Sequence, residues 1–352
     1  MNMEVLLSAN PIISDIHCRS LKEHYRPMIE VADHLNIATG FITNDSIVEL
    51  KNLIEYRRFS LTLNLFIGMN LLDGFTKLQY NAVKDLNSFL TDNSTGRVLL
   101  SPKALYHGKM YSFMRNNSCM GAFIGSSNLG SFVGTSSNYI EADAFFNGNE
   151  AIRVNSTIEK VIEMLGEDFS NIPPVTKFIE NPIELLKDYN FVEQLGVEQT
   201  ALAKASVHGD KVRIPLKDEP KSNLNTYFGA GKIKGKFSPR GWYEVELIIP
   251  KNLENRDIIP WSEDKDDNKN CHIFVITNDG YKFECYRQGD YGKNFRSAHD
   301  LKILGRWIKG QMENDGALEL GKPVTADVLS RFGKKYLVLQ KTTNNCWFMT
   351  LE

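Results

Sequence analysis

Apolar and polar positions follow two different rhythms along this chain, and the change between them divides it. In the first half, residues 35–43 (LNIATGFIT) and 61–69 (LTLNLFIGM) are runs rich in β-branched and large apolar side chains, as in buried strands. Between them, Ser46-Ile47-Val48-Glu49 has capping-box spacing, and Ile47, Leu50, Leu53 and Ile54 recur at helical intervals. Further strands are predicted over 97–100, 109–113, 120–125 and 140–146, and a helix over 156–165. Strands mixed with helices predict an α/β sandwich.

The rhythm breaks at Asn171-Ile172-Pro173-Pro174, the only adjacent prolines in the sequence. The predicted division is a domain over 1–170, a linker or helical connector over 171–205, and a second domain over 206–352. In the second domain, 242–249 (WYEVELII) alternates and stops at Pro250, and 335–340 reads as another strand. Residues 271–277 and 281–287 flank Asn278-Asp279-Gly280, a hairpin signal. Short helices fit 300–309 and 325–332, the latter with Thr325 as N-cap and Gly333 as stop. This half reads as a small, mainly β, barrel-like domain with peripheral helices.

Composition narrows the class. With 42% hydrophobic and 24% charged residues, the chain is globular rather than disordered. No apolar run reaches the roughly 18 residues that cross a bilayer. The first eleven residues lack the pattern of a secretory leader, so a cytoplasmic protein with no membrane partner is expected. Five scattered cysteines without a Cys-x-x-Cys pair predict free thiols, not a zinc cage. The net charge of −2 conceals a split. Residues 1–200 hold 16 Lys and Arg against 23 Asp and Glu, giving −7, whereas 201–352 hold 25 against 20, giving +5. The second half is the natural candidate for a polyanion, although +5 is too modest to establish one.

The chemistry concentrates in 106–141. On a strand, His107 and Lys109 project to the same side. An imidazole nitrogen can attack phosphorus or protonate a leaving oxygen, while a lysine stabilises charge on the non-bridging oxygens. Ser126 and Asn128 follow Gly125 in a turn where small polar groups can bond the same phosphate. Glu141, in the stretch Asn138-Tyr139-Ile140-Glu141, is placed to accept from the other imidazole nitrogen and fix its tautomer. A lone His-x-Lys is weak by itself; the turn and the carboxylate give it weight.

His107, Lys109, Gly125, Ser126 and Asn128 together resemble the His-x-Lys and Gly-Ser-x-Asn motif of the phospholipase D superfamily, and Glu141 resembles the acidic residue of its nuclease branch. Met114 stands where that motif has an aspartate, a departure that weakens the lipase reading more than the nuclease one. The motif occurs once; His17, His24, His34, His208, His272 and His299 have no lysine two residues on. Superfamily chemistry uses two histidines, so the resemblance implies a homodimer with its active site on the two-fold axis. It also implies a phosphohistidine and no metal cofactor.

The basic second half extends the resemblance. One cluster holds Lys232, Lys234, Lys236, Arg240 and Trp242; another holds Arg287, Gln288, Lys293, Asn294 and Arg296. Alternating lysines suit phosphates, and Arg, Gln and Asn suit base edges. A phospholipase D half-site followed by such a domain resembles type II restriction endonucleases of the NgoFVII and BfiI kind. Their C-terminal domain is a pseudobarrel like that of plant B-three transcription factors, and 304–310, 315–318 and 325–335 resemble its C-terminal block. The resemblance implies double-stranded DNA as partner, a short G/C-rich site, a cognate methyltransferase and, for some relatives, an ATP-driven helicase or translocase subunit. The rivals are a phospholipase D-type lipid phosphodiesterase or phosphatidyltransferase, and a non-catalytic DNA-binding regulator.

Overall fold

The structure is a computed structural model. It describes residues 3–8, 21–132, 139–180, 184–187, 189–229, 231–233, 236–238, 240–264, 268–269, 271–343 and 345–352. The chain forms two compact units, 1–181 and 182–352.

The first unit is built on a mixed sheet of eight strands: β1 (Met3–Leu7), β2 (His34–Thr39), β3 (Thr62–Ile67), β4 (Gly96–Leu100), β5 (Met110–Arg115), β6 (Ser118–Gly125), β7 (Ala142–Phe146) and β8 (Glu167–Asp168). Their order is β1-β7-β6-β5-β2-β3-β4-β8. The run β2, β3, β4 is parallel, and helices Asn44–Tyr56 and Lys77–Asp92 make its crossovers. Leu35, Ile37, Ala38, Leu63, Leu65 and Phe66 are all buried, so β2 and β3 are covered on both faces, as strands of a parallel segment must be. Helix Gly148–Leu165 covers one of them, placing Ala151, Val154 and Ile158 against Ala38, Phe66 and Met110. It begins eight residues before the predicted start.

From β5 the chain turns to an antiparallel meander, β5-β6-β7. Asn116 and Asn117, both with positive φ (50° and 60°), make the two-residue turn between β5 and β6. The helix after β2 is capped by Thr43, not Ser46: the Thr43 hydroxyl accepts from the Ser46 amide while the Ser46 hydroxyl accepts from the Thr43 amide. The expected box therefore exists, displaced by three residues.

The second unit has β9 (Glu193–Gln194), β10 (Val207–Pro215), β11 (Gly231–Ile233), β12 (Lys236–Ser238), β13 (Leu247–Ile248), β14 (Ile273–Thr277), β15 (Tyr281–Gln288), β16 (Asn294–Ser297), β17 (Tyr336–Thr342) and β18 (Trp347–Leu351). Seven form one sheet in the order β10-β17-β18-β14-β15-β16-β13, with β9 beside β15 and β11–β12 apart. The end strands β10 and β13 come back into contact, so the sheet curls into a half-barrel. Residues 193–205, which the sequence places in a connector, supply β9 and a helix (Val197–Ala205) to this unit. The hairpin at Asn278-Asp279-Gly280 forms as expected, with Gly280 at φ 88°. Helix Ala326–Phe332 has Thr325 as N-cap and Gly333 (φ 71°) beyond its end. The strand expected over 242–249 shrinks to Leu247–Ile248, although burial still alternates along it from Tyr243 to Ile249.

A buried polar group sits in the core of this unit. In helix Lys302–Asn314, Lys309 and Glu313 stand one turn apart, both away from solvent. Glu313 accepts from Trp242 Nε1 at 2.8 Å and Tyr243 Oη at 2.7 Å, while Lys309 Nζ donates to the Trp242 carbonyl at 2.8 Å. Burial pushes the ammonium down to about 7 and the carboxyl up to about 7, each opposed by the other's charge.

Candidate active site

The carboxyl ends of β2 and β3 receive the segment that leads into β5. Tyr106 donates its amide to the Gly68 carbonyl at 3.1 Å. A Cβ on Gly68 would lie 2.3 Å from the Tyr106 carbonyl oxygen, and one on Gly40 would lie 3.2 Å from the His107 Cα. The bare Cα of Gly68 lets the chain pass so close, with Gly40 in tight contact beside it, and the passage leaves His107 exposed beyond the parallel strands.

Lys109 is 6% exposed. Its Nζ donates to the His107 carbonyl at 2.7 Å and lies 3.1 Å and 3.3 Å from Nε2 and Nδ1 of the ring. Burial lowers its pKa, and the charge of Glu141 works in the opposite direction. Phe41 meets the His107 ring edge-on, with centroids 5.6 Å apart. The adjoining Tyr106 hydroxyl is buried without a hydrogen-bond partner, and burial raises it to about 12.

The turn 125–128 leaves β6 beside this pair. Ser126 is exposed; its hydroxyl donates to the Glu141 carboxylate and accepts from the Ala142 amide at 3.0 Å. Asn128 Oδ1 accepts from the Phe41 amide at 3.3 Å, which leaves its Nδ2 as the donor for an anion. One expectation needs correcting: Glu141 engages Ser126, and among the described residues no hydrogen bond joins it to His107. The reason is proximity, since Glu141 immediately precedes β7 and β7 pairs with the strand that ends at Gly125. Asn138, which opens that acidic stretch, lies outside the described residues. Met114, at the motif's missing aspartate, packs against the apolar cluster under helix Gly148–Leu165.

A layer beneath the turn escaped the sequence reading. Asp143, 4% exposed, accepts from Ser127 Oγ at 2.6 Å and from the Ser127 amide at 3.2 Å. Tyr111 Oη donates to the Ser127 carbonyl at 2.6 Å. The available signal was spacing, because Asp143 stands two residues after Glu141 and so on the same side of the strand. Among the described residues, no group of three His, Cys, Asp or Glu is placed to hold a metal ion.

The basic clusters of the second unit separate into several environments. Trp242 is fully buried, its indole bonded to Glu313, so it supports the core and cannot contact DNA. Arg287 is also corrected. It is 2% exposed and donates to the carbonyls of Gly292 (2.9 Å), Ile259 (2.9 Å), Arg256 and Tyr291. Alternation explains it, because Tyr281, Phe283, Cys285 and Arg287 share the inward face of β15. Gln288 and Lys293 are exposed, and Asn294 half-buried. Arg296 bridges Glu246 (2.6 Å) and Gln288 (2.7 Å), and Arg240 pairs with Glu244 at 3.0 Å. Lys234 lies outside the described residues, as do the side chains of Lys232 and Lys236.

Arg287 thus ties residues 256–259 to 291–292. A cavity of about 990 Å³ in this unit is lined by Trp261, His272, Tyr286, Gln288 and Tyr291 among others.

Two models of one family match this chain in succession. The NgoFVII restriction endonuclease N-terminal PLD domain matches residues 19–173, and the NgoFVII C-terminal B3-like DNA-binding domain matches residues 203–343. The chain belongs to the NgoFVII restriction endonuclease family. It is a phospholipase D-type nuclease domain joined to a DNA-binding domain, so the phosphodiester it cuts is that of DNA. Among solved structures it is similar to Nuc, a phospholipase D family member from Salmonella typhimurium (15% identity, TM-score 0.31, 48% of this chain and 97% of that one). It is also similar to NucT from Helicobacter pylori (14%, TM-score 0.32, 47% and 100%). The archaeal chromatin protein TrmBL2 follows (12%, TM-score 0.29, 47% and 53%). No curated protein matches the chain. No helix among the described residues is long and apolar enough to cross a membrane.

Proposed function

We propose that this member of the NgoFVII family is a type II restriction endonuclease that hydrolyses double-stranded DNA at or near a short, G/C-rich site, without a metal cofactor. His107 attacks the scissile phosphorus, forming a covalent phosphohistidine as the P–O bond to the leaving strand breaks. His107 of a second copy gives its proton to that leaving oxygen, then takes one from the water that hydrolyses the intermediate. Lys109 and Asn128 stabilise the non-bridging oxygens, Ser126 turns from Glu141 to join them, and Glu141 holds the site's hydrogen bonds in order. The exposed face of β15 and β16 and the turn between them, with Gln288, Lys293, Asn294 and Arg296, contacts DNA together with Arg240 and the lysines at 232, 234 and 236. The protein acts in the cytoplasm, as a homodimer, alongside a cognate methyltransferase and an ATP-driven translocase subunit.

The observation that carries this reading is an exposed histidine beside a buried lysine, with Ser126 and Asn128 arriving from the next strand. Plasmid cleavage in the presence of a chelator tests it. The wild type should cut and His107→Ala should not, while both bind the same DNA in a gel-shift assay. Cleavage by His107→Ala would overturn the assignment of the nucleophile, and loss of wild-type cleavage in chelator would overturn metal independence. A monomer at working concentration would overturn the shared site.

A further inference from the structure

We propose that Asp143 is a positioning residue of this site, holding the turn that presents Ser126 and Asn128 by fixing the residue between them. The role rests on the nuclease reading for its effect on rate, but not for its effect on the turn.

Gly125 and Asp143 face each other directly in the β6–β7 ladder. A Cβ on Gly125 would lie 2.0 Å from Asp143 Oδ1 and 2.6 Å from the Ala142 carbonyl oxygen. The carboxylate therefore lies across the bare Cα of the glycine and reaches the turn beyond it. There it takes two hydrogen bonds from one residue, Ser127 Oγ at 2.6 Å and Ser127 N at 3.2 Å. The third polar atom of Ser127, its carbonyl oxygen, accepts from Tyr111 Oη of β5 at 2.6 Å. Ser127 is 1% exposed and Tyr111 1%, so these bonds run out of reach of water.

Fixing the amide, hydroxyl and carbonyl of one residue leaves its peptide planes little freedom. The flanking side chains then leave the turn in set directions. Ser126 points to solvent beside Glu141, and Asn128 reaches the Phe41 amide at the end of β2. An apolar side chain would fill the space under the turn without the desolvation cost of a carboxylate. What the carboxylate adds is direction. Being 4% exposed and occupied by Ser127, it is not a contact for substrate. Gly125, Ser127 and Asp143 form one unit, in which the glycine makes room, the aspartate reaches through and the serine is held.

The experiment uses full-length Asp143→Ala and Asp143→Asn. The first measurement is hydrogen exchange at the Phe41 amide. That amide lies in the loop after β2, and its acceptor is Asn128, so it senses the turn and not Asp143 itself. Asp143→Ala should speed this exchange about tenfold, as expected for loss of one hydrogen bond's worth of order. Asp143→Asn, which keeps Oδ1 as acceptor for the Ser127 amide, should restore most of the protection. The second measurement is single-turnover DNA cleavage at saturating enzyme. The rate should fall about 100-fold in Asp143→Ala, the size of effect that a misplaced anchoring group produces, with DNA affinity unchanged and a smaller loss in Asp143→Asn. Unchanged Phe41 exchange in folded Asp143→Ala would overturn the proposal. So would a cleavage rate within about threefold of wild type. If the wild type does not cut DNA, the nuclease reading fails while Phe41 exchange still decides the role of Asp143. Should Asp143→Ala not fold, Ser127→Ala removes the hydroxyl donor alone, and faster Phe41 exchange is again required.

Discussion

The two halves of this protein treat their conspicuous polar residues differently. His107, Lys109, Ser126, Asn128 and Glu141 lie on or beside three strands that are consecutive in the chain and adjacent in the sheet. Antiparallel pairing of β6 with both β5 and β7 brings the segments that flank these strands together, so the order of the motif survives folding as geometry. In the second half, residues within one cluster part company. Arg287 turns inward to four carbonyls while its neighbour Gln288 faces out, and in the other cluster Trp242 enters the core. A motif on a meander can be read from its spacing. A run of cations becomes a binding face only after alternation has taken its inward members away.

The sharpest way to break this contrast is in the core of the second unit. Glu313→Ala leaves Lys309 buried without its carboxylate and strips the acceptor from Trp242 and Tyr243, which should cost about 3–5 kcal/mol. All four tryptophans lie in the second half, so urea unfolding followed by tryptophan fluorescence reads that unit alone. Arg287→Ala should cost about 2–4 kcal/mol, because buried carbonyls lose a charged donor. Arg287→Lys should not rescue it, since an ammonium lacks the planar fork that reaches several carbonyls. A stability near wild type for Arg287→Ala would return this residue to the list of base readers.

Smaller effects sharpen the other side. Gly125→Ala must displace Asp143 or the Ala142 carbonyl and should cost about 1–3 kcal/mol, with cleavage falling further than stability. A pH series tests Asp143 directly. Burial holds its carboxyl above the usual range, against the pull of the Ser127 bonds, so the folded chain keeps the proton where the unfolded chain has released it. Stability from this group is therefore full below the unfolded pKa and is lost as pH rises through the folded one. The wild-type unfolding midpoint should decline across that window, and Asp143→Asn should show a flatter profile. Lys293→Ala, at an exposed site, should change stability by no more than about 0.5 kcal/mol. If Lys293 meets a phosphate, the same variant weakens DNA binding and lowers the salt slope by about 1.

Much of this was legible in the sequence because it depends on near neighbours. The hairpin at Asn278-Asp279-Gly280 and the cap and stop at Thr325 and Gly333 appear as expected. The strands that flank the His107-x-Lys109 motif and the turn 125–128 also lie within a few residues of their predicted bounds. Two elements differ from expectation. Thr43 displaced Ser46 as cap, and the strand over 242–249 was reduced to the two residues that find a partner in β16.

By itself the sequence determined which residues can do chemistry, and that His107 and Lys109 share one side of the chain. Tertiary structure decided what those residues meet. It gave the Glu141 carboxylate to Ser126, laid Asp143 under the turn through the gap at Gly125, and buried Arg287. Hydrogen-bond partners and burial are set by which strands lie side by side, and that pairing is decided by packing across the whole fold rather than by the local run of residues.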